Sequence, residues 1–426
     1  MRLSWTEKSR SGALTFFILL SAFFVFLLIL TPPASRAPFF NDDYYSFLQI
    51  RDLASHPGAA WARDEDGRFH PFWFYLLFIE KSWFGSNITG YYIVHFLVHF
   101  VNALLVAGLC RKLFASAGAG ILSGLLFLFS SAYYQVFVWI QAGRPIALMM
   151  VLTAVLAWVD FLRQGRVRLV LGAALLGGGA LLANESAVTW PFVALFLGIW
   201  IKPRQTKRRW AWLLPVAIFF LWDFLWCFFL FHGSVSAILR SSSLVVPTAG
   251  LVLLKIVSLI EMLIRPLFLP EKGFLSPAFL PETLLRLLPA ALLLIPLLIF
   301  LSRKGRFKLW REGIPKRVYG FSLAWMGITV LPFMLDARLF EHVSRYLYFP
   351  GVGFSILAGF CGARFFEICR LESSKSGLVL GSVTLLYVLI LNAYSNAYHF
   401  QRYKDYANKV QWADYSERVR ELLADR

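Results

Sequence analysis

The chain has 426 residues, is 58% hydrophobic and only 15% charged, and has a mean hydropathy of +0.64. A soluble domain is nearer half apolar and a quarter charged, so a water-soluble globule is excluded. The formal net charge of +18 does not mark a nucleic-acid partner, because the cations cluster in short loops between apolar runs, at 111–112, 163–168, 202–209 and 303–317. That is the positive-inside pattern of a polytopic membrane protein.

The first apolar run, 11–30, follows the cations Arg2, Lys8 and Arg10. It has the outline of a signal peptide, but it is long and Thr31-Pro-Pro is a poor cleavage site, so it reads as a retained span. Further spans are expected at 91–113, 117–140, 145–163, 168–183, 186–201, 210–231, 282–301, 318–335, 346–366 and 377–397. Each is close to the roughly 20 helical residues that cross a bilayer core. The stretch 249–269 is apolar but carries Lys255, Glu261 and Arg265, which suits a helix lying at the interface rather than one crossing it. Charge parity supports this choice. If 249–269 crossed, the basic loop 303–317 would fall outside, against the rule. The expected fold is therefore an all-α polytopic membrane domain of 11 spans over 1–397. Its N-terminus is cytoplasmic, and a short helical extracytoplasmic tail follows at 398–426.

The first extracytoplasmic loop, about 32–90, is the longest. Its segment 41–56 opens Asn-Asp-Asp-Tyr-Tyr, a helix-start signal, and its segment 70–84 is rich in Phe and Trp. Two short helices resting on the outer leaflet are expected. In the tail, Trp412, Tyr415 and Val419 share a helical face.

Several residues could carry chemistry. Asp42 and Asp43 stand just past the first span, where a carboxylate can take a proton from a hydroxyl acceptor meeting a lipid-borne donor. Their other reading is an N-cap pair that suits the helix macrodipole. Arg144, Arg265, Arg338 and Arg345 lie towards the extracytoplasmic face, against the charge rule. Guanidinium matches phosphate oxygens; the alternative is snorkelling, or pairing with Asp336, Glu341 or Glu185. His70, His95, His99 and His342 raise the question of a metal. His95 and His99 lie four apart on a span with no acidic companion in sequence, so helix packing is the expectation and no metal site is assigned. Asp223, deep in the seventh span, is either functional or hydrogen-bonded to a neighbour. Asn87-Ile-Thr is a glycosylation sequon. The cysteines Cys110, Cys227, Cys361 and Cys369 have neither disulfide nor metal spacing.

These residues resemble, in order, the motifs of the GT-C superfamily of membrane glycosyltransferases. The nearest likeness is to the protein O-mannosyltransferases and to the transmembrane O-mannosyltransferases that carry tetratricopeptide repeats. The matching pieces are Asn41-Asp-Asp-Tyr-Tyr, Gly67-Arg-Phe-His-Pro-Phe-Trp-Phe, Phe84-Gly with Tyr91 to Asn102-Ala-Leu-Leu, Gly143-Arg144, Ala183-Asn-Glu-Ser-Ala-Val, and Arg345-Tyr-Leu-Tyr-Phe-Pro-Gly-Val-Gly-Phe. The resemblance as a whole covers about 350 residues, from 40 almost to 400. The chain departs from the pattern at Asn184, Ile146 and Ser344, and no repeat domain follows.

The resemblance implies an inverting transfer of a sugar from a polyprenyl-phosphate carrier to a hydroxyl of a protein, lipid or glycan, on the extracytoplasmic face. It implies Asp42 as general base, Asp43 in support, and Arg144 and Arg345 on the donor phosphate. Glu185, His342 and Arg68 are further supporting candidates. The lipid-linked sugar is a co-substrate, and no cofactor is assigned. Missing repeats and lumenal cysteines lean towards a bacterial inner membrane. Two other classes stay open: a transporter or flippase, for which Asp223 and Asp160 speak, and an inactive scaffold that kept the fold.

Overall fold

The structure is a computed structural model that describes residues 5–36, 41–51, 53–61, 70–140, 143–201, 212–231, 314–334 and 344–409, together with 255, 263, 264 and 302. Side chains at 5–11, 41–45, 225–231, 332–333 and 403–409 are outside that description. The described residues form helices and no strand. In chain order these are α1 (Trp5–Ala34), α2 (Asn41–Ile50), α3 (Pro71–Phe84), α4 (Ile88–Phe114), α5 (Ala117–Phe129), α6 (Gln135–Val138), α7 (Gly143–Gln164), α8 (Val167–Ala180), α9 (Trp190–Ile201), α10 (Leu213–Phe231), α11 (Lys316–Met334), α12 (Pro350–Leu371) and α13 (Lys375–Lys409). Short 3-10 turns at Pro57–Trp61, Ser131–Tyr133, Glu185–Thr189 and Ser344–Leu347 join them.

Among the described residues, five helices are long and apolar enough to cross a membrane: Gly12–Ala34, Ile88–Phe114, Gly143–Gln164, Pro350–Leu371 and Lys375–Arg402. Their outer faces agree. On α1, Leu19, Phe23, Phe26 and Leu30 are buried while Phe17, Phe24 and Leu28 are exposed. On α13, Val379, Val383, Leu386 and Ile390 are exposed. Apolar surface on this scale needs lipid as its solvent, and the chain is an all-α, multi-pass membrane protein.

Helices α4, α5, α7 and α12 make the centre. Phe26 of α1 meets the rings of Phe96, His99, Phe129 and Phe137 there. Helices α5 and α12 approach closely, so that a Cβ on Gly359 would lie 2.6 Å from the backbone nitrogen of Ser123. Small residues allow such contact where helices do not gain from water exclusion.

Two expectations need correction. The span expected at 117–140 is not one helix: α5 stops at Phe129 and the chain turns before α6. The freed backbone groups are met by α13, whose Asn396 side chain donates to the Phe129 carbonyl (3.0 Å) and whose Asn392 side chain accepts from the Ser131 N–H (2.9 Å). Non-helical backbone is tolerated in a membrane protein only when so satisfied. The last span and the start of the expected tail are one continuous helix, α13, that runs through 398 to Lys409. The expected span at 282–301, the tail beyond 409, and nearly all of the proposed interfacial helix at 249–269 lie outside the described residues.

Candidate functional site

The first loop folds back on the bundle. Helix α2 starts at Asn41, which puts Asp42 and Asp43 in its first turn, and it packs on α3. Helix α3 opens with His70 at its N-cap position and Pro71 in its first turn, where proline's fixed φ is favourable and its missing N–H costs nothing. The Phe72 N–H donates to the Leu182 carbonyl, 3.1 Å away, in the bend that follows α8. That one bond seats the start of α3 beside the turn that carries Glu185.

The bend is itself fixed. The buried Asn184 side chain accepts from the Ser186 N–H at 3.1 Å and caps the 3-10 turn. The first turn of α7 presses against it so closely that a Cβ at Gly143 would stand 2.6 Å from the Ala183 carbonyl oxygen. Glycine is required here by contact rather than by its dihedral freedom. Asn102 of α4 holds the same turn by donating to the Pro145 carbonyl (2.8 Å).

These constraints bring a charged cluster together. His70 Nε2 lies 2.7 Å from Glu185 Oε2, and Arg144 Nη2 lies 3.7 Å from Glu185 Oε1. The Arg144 Nε is 3.5 Å from Ser186 Oγ. The turn Ser344–Leu347 closes the opposite side. Arg144 and Arg345 both stack on the Tyr346 ring, their guanidinium carbons 4.5 and 5.3 Å from its centroid, and Arg345 also lies 4.9 Å from the Trp139 ring. Such cation–π contacts hold a guanidinium without using up its donors. Arg345 Nε is buried with no hydrogen-bond partner among the described residues. The turn is clasped to α6 twice: Gln135 Oε1 accepts from the Arg345 N–H (3.2 Å), and Ser344 Oγ accepts from the Gln135 N–H (3.4 Å).

Desolvation opposes ionisation of Glu185, yet the His70 hydrogen bond and the charges of His70 and Arg144 hold its carboxyl well below the usual carboxylate range. With Glu185 an anion, the two guanidinium groups leave the described side chains of the cluster net positive. An anion is the ligand that such a surplus fits.

Behind the turn lies a second polar group of a different kind. Tyr348 is fully buried. Its hydroxyl is 2.8 Å from His99 Nδ1 and 3.0 Å from the Asn102 amide nitrogen, and His99 Nε2 is 3.0 Å from the Leu128 carbonyl. A carbonyl only accepts, so Nε2 carries the proton and Nδ1 accepts from Tyr348, which in turn accepts from Asn102. The chain of donors runs one way and ends on backbone.

Of the residues singled out by sequence, Arg144, Arg345 and Glu185 meet in one place. Arg68 and His342, and the further candidates Arg265, Arg338, Asp336 and Glu341, lie outside the described residues, as do the side chains of Asp42 and Asp43. Of the readings of Arg144, pairing with Glu185 is present at 3.7 Å, and the guanidinium also faces the Tyr346 ring. His95 is a correction: Glu80 of α3 lies 3.8 Å from it, both side chains almost wholly buried, so the histidine has an acidic companion 15 residues earlier. No group of three metal-ligating side chains occurs among the described residues. Asp160 pairs with Lys112 at 2.6 Å, an ordinary ion pair at a helix end.

Sequence reading missed His70, Tyr346, Gln135 and Trp139 as members of the site. The signals were present but local: a His-Pro step at a helix start, and alternation of residues along Arg345-Tyr-Leu-Tyr. No protein-family model matches the chain, and no curated protein matches it by sequence.

Proposed function

We propose that this protein is a membrane glycosyltransferase that moves a sugar, most simply a hexose, from a polyprenyl-phosphate donor to a hydroxyl acceptor on the extracytoplasmic face. The single observation that carries the reading is the convergence of Arg144 and Arg345 on Tyr346, with guanidinium donors to spare in a net-positive cluster. In this reading the donor phosphate binds between the two arginines and its lipid tail lies among the spans. Asp42, on the helix that packs against α3, takes the proton of the acceptor hydroxyl. The hydroxyl oxygen attacks the anomeric carbon, the bond to phosphate breaks on the opposite face, and the sugar inverts. Asp43 supports the base. The arginines hold the charge that grows on the phosphate, and such electrostatic stabilisation is commonly the largest part of catalysis. The accompanying topology is 11 spans with the N-terminus cytoplasmic, in a bacterial inner membrane. The acceptor is a protein, lipid or glycan hydroxyl.

The test is donor consumption by purified protein in bilayers. It is offered polyprenyl-phosphate-linked hexoses with envelope extract as acceptor, beside Asp42→Asn and Asp43→Asn. Turnover of one donor is expected, with Asp42→Asn slower by about 10²- to 10⁴-fold. Full activity in Asp42→Asn with loss in Asp43→Asn would exchange their roles, and no binding of any donor would end the reading.

One observation favours a second reading. Asp223 of α10 is buried, and neither carboxylate oxygen has a partner among the described residues. An unpaired acid within a membrane domain is a natural proton or cation site of a transporter. Asp223→Asn abolishes uptake or flipping under that reading and leaves sugar transfer intact under the first.

A further inference from the structure

The proposed transfer has a proton requirement that Asp42 does not meet. When the bond from sugar to carrier phosphate breaks, its electron pair stays on the phosphate oxygen, and the monoester product has one more negative charge than the diester. The arginines can hold that charge, whereas a proton delivered to the oxygen removes it.

His70 stands on the arginine side of the site, joined to it through Glu185. Ionised Glu185 only accepts, so the ring nitrogen facing it, Nε2, carries a proton in both states of the imidazole. The other nitrogen, Nδ1, has no hydrogen-bond partner among the described residues and is not sealed from solvent. The ring is thus fixed by one nitrogen and offers the other, the arrangement by which a carboxylate orients an imidazole for proton transfer.

We propose that His70 is a catalytic acid whose Nδ1 gives a proton to the leaving phosphate oxygen, with Glu185 as the positioning residue that orients the ring. This rests on the glycosyltransferase reading. The protons balance: the acceptor's hydroxyl proton goes to Asp42, the Nδ1 proton goes to the phosphate, and exchange with water restores both groups. Besides Glu185, the charged groups of the cluster among the described side chains are Arg144 of α7 and Arg345 of the 344–347 turn; Glu80 of α3 lies instead 3.8 Å from His95.

The experiment is the pH dependence of transfer from undecaprenyl-phosphate-linked mannose or glucose, whichever the wild type consumes. The wild-type rate should fall on an alkaline limb. His70→Gln, which keeps a donor towards Glu185, should bind the same compound within a few-fold, turn over about 100-fold more slowly and lose that limb. Glu185→Gln should keep the limb and slow turnover, because the ring loses the carboxylate that orients it. His70→Ala should recover rate with added imidazole, a rescue that a purely structural latch does not allow. Donor consumption by the wild type with an unchanged rate and limb in His70→Gln overturns the assignment of His70 alone. No donor consumption by the wild type overturns the transferase reading and this inference with it.

Discussion

Five consecutive residues, Ser344 to Tyr348, serve two polar regions that differ in almost every physical respect. Arg345 and Tyr346 point to the cluster with Arg144, Glu185 and His70, while Tyr348 points to the buried chain from Asn102 through His99 to the Leu128 carbonyl. In the buried chain all groups are neutral, each hydroxyl and ring nitrogen is matched, the last acceptor is backbone, and the Asn102 amide oxygen alone lacks a partner among the described residues. In the cluster the groups are ionised or ionisable, the geometry is set by ring stacking, and donors are left over. A matched buried network makes a rigid frame. Unmatched charge at its edge is what a ligand can use. The comparison therefore assigns stability to one region and binding to the other, and substitutions can separate them.

The largest effect is expected at Gly143, which couples the two. Alanine there must push the first turn of α7 off the Ala183 carbonyl and so displace Arg144. A shift of about 1 Å in a positioning element costs roughly 100-fold in turnover; Gly143→Ala should lose activity on that scale in a bilayer assay while the protein still purifies as a folded monodisperse species. Next is Arg345→Ala. It removes the charge-assisted partner proposed for the donor phosphate, about 1.5–3 kcal/mol, so binding of a polyprenyl-phosphate sugar by calorimetry should weaken about 10- to 100-fold with little change in Tm. Tyr348→Phe should behave in the opposite way. It leaves His99 Nδ1 without its donor and one N–H of the Asn102 amide without its acceptor, a cost of about 1–3 kcal/mol, read as a lower Tm in nanodiscs with donor affinity reduced less than in Arg345→Ala. Should Tyr348→Phe lose binding at an unchanged Tm, the division between frame and site is wrong.

The same contrast explains what could be read from sequence. Apolar runs mark helices because lipid demands them, so α1, α4, α7, α12 and α13 fall where hydropathy puts them. Arg144 and Arg345 stand out because in the proposed topology they are cations on the side that the charge rule disfavours, and Glu185 stands in a polar turn. The break at 130–134 was not legible, because its backbone is satisfied by Asn392 and Asn396 more than 250 residues away. The His70–Glu185 pair spans 115 residues, and hydropathy contains no information on such a contact. Glu80 lies in the aromatic-rich stretch 70–84, and only the fold places it against His95. Local pattern reveals which residues are costly in lipid; only tertiary packing reveals which of them compensate one another.

The smallest expected effect tests whether the cluster contributes to stability at all. The Glu185 carboxyl, despite desolvation, is held below its usual range by His70 and Arg144. A group whose folded pKa is depressed adds stability above its unfolded value, and loses it as pH falls through the folded value. Glu185→Gln should therefore lower the Tm at neutral pH, and the gap from wild type should close as the pH falls below the ordinary carboxylate range. The side chain is 55% exposed, so solvent screens much of the interaction and the gap should be small beside that of Tyr348→Phe. A small, acid-sensitive gap fits a cluster whose charges are held ready for an anion rather than used to hold the fold. A gap as large as that of Tyr348→Phe and constant down to low pH would instead make Glu185 part of the frame.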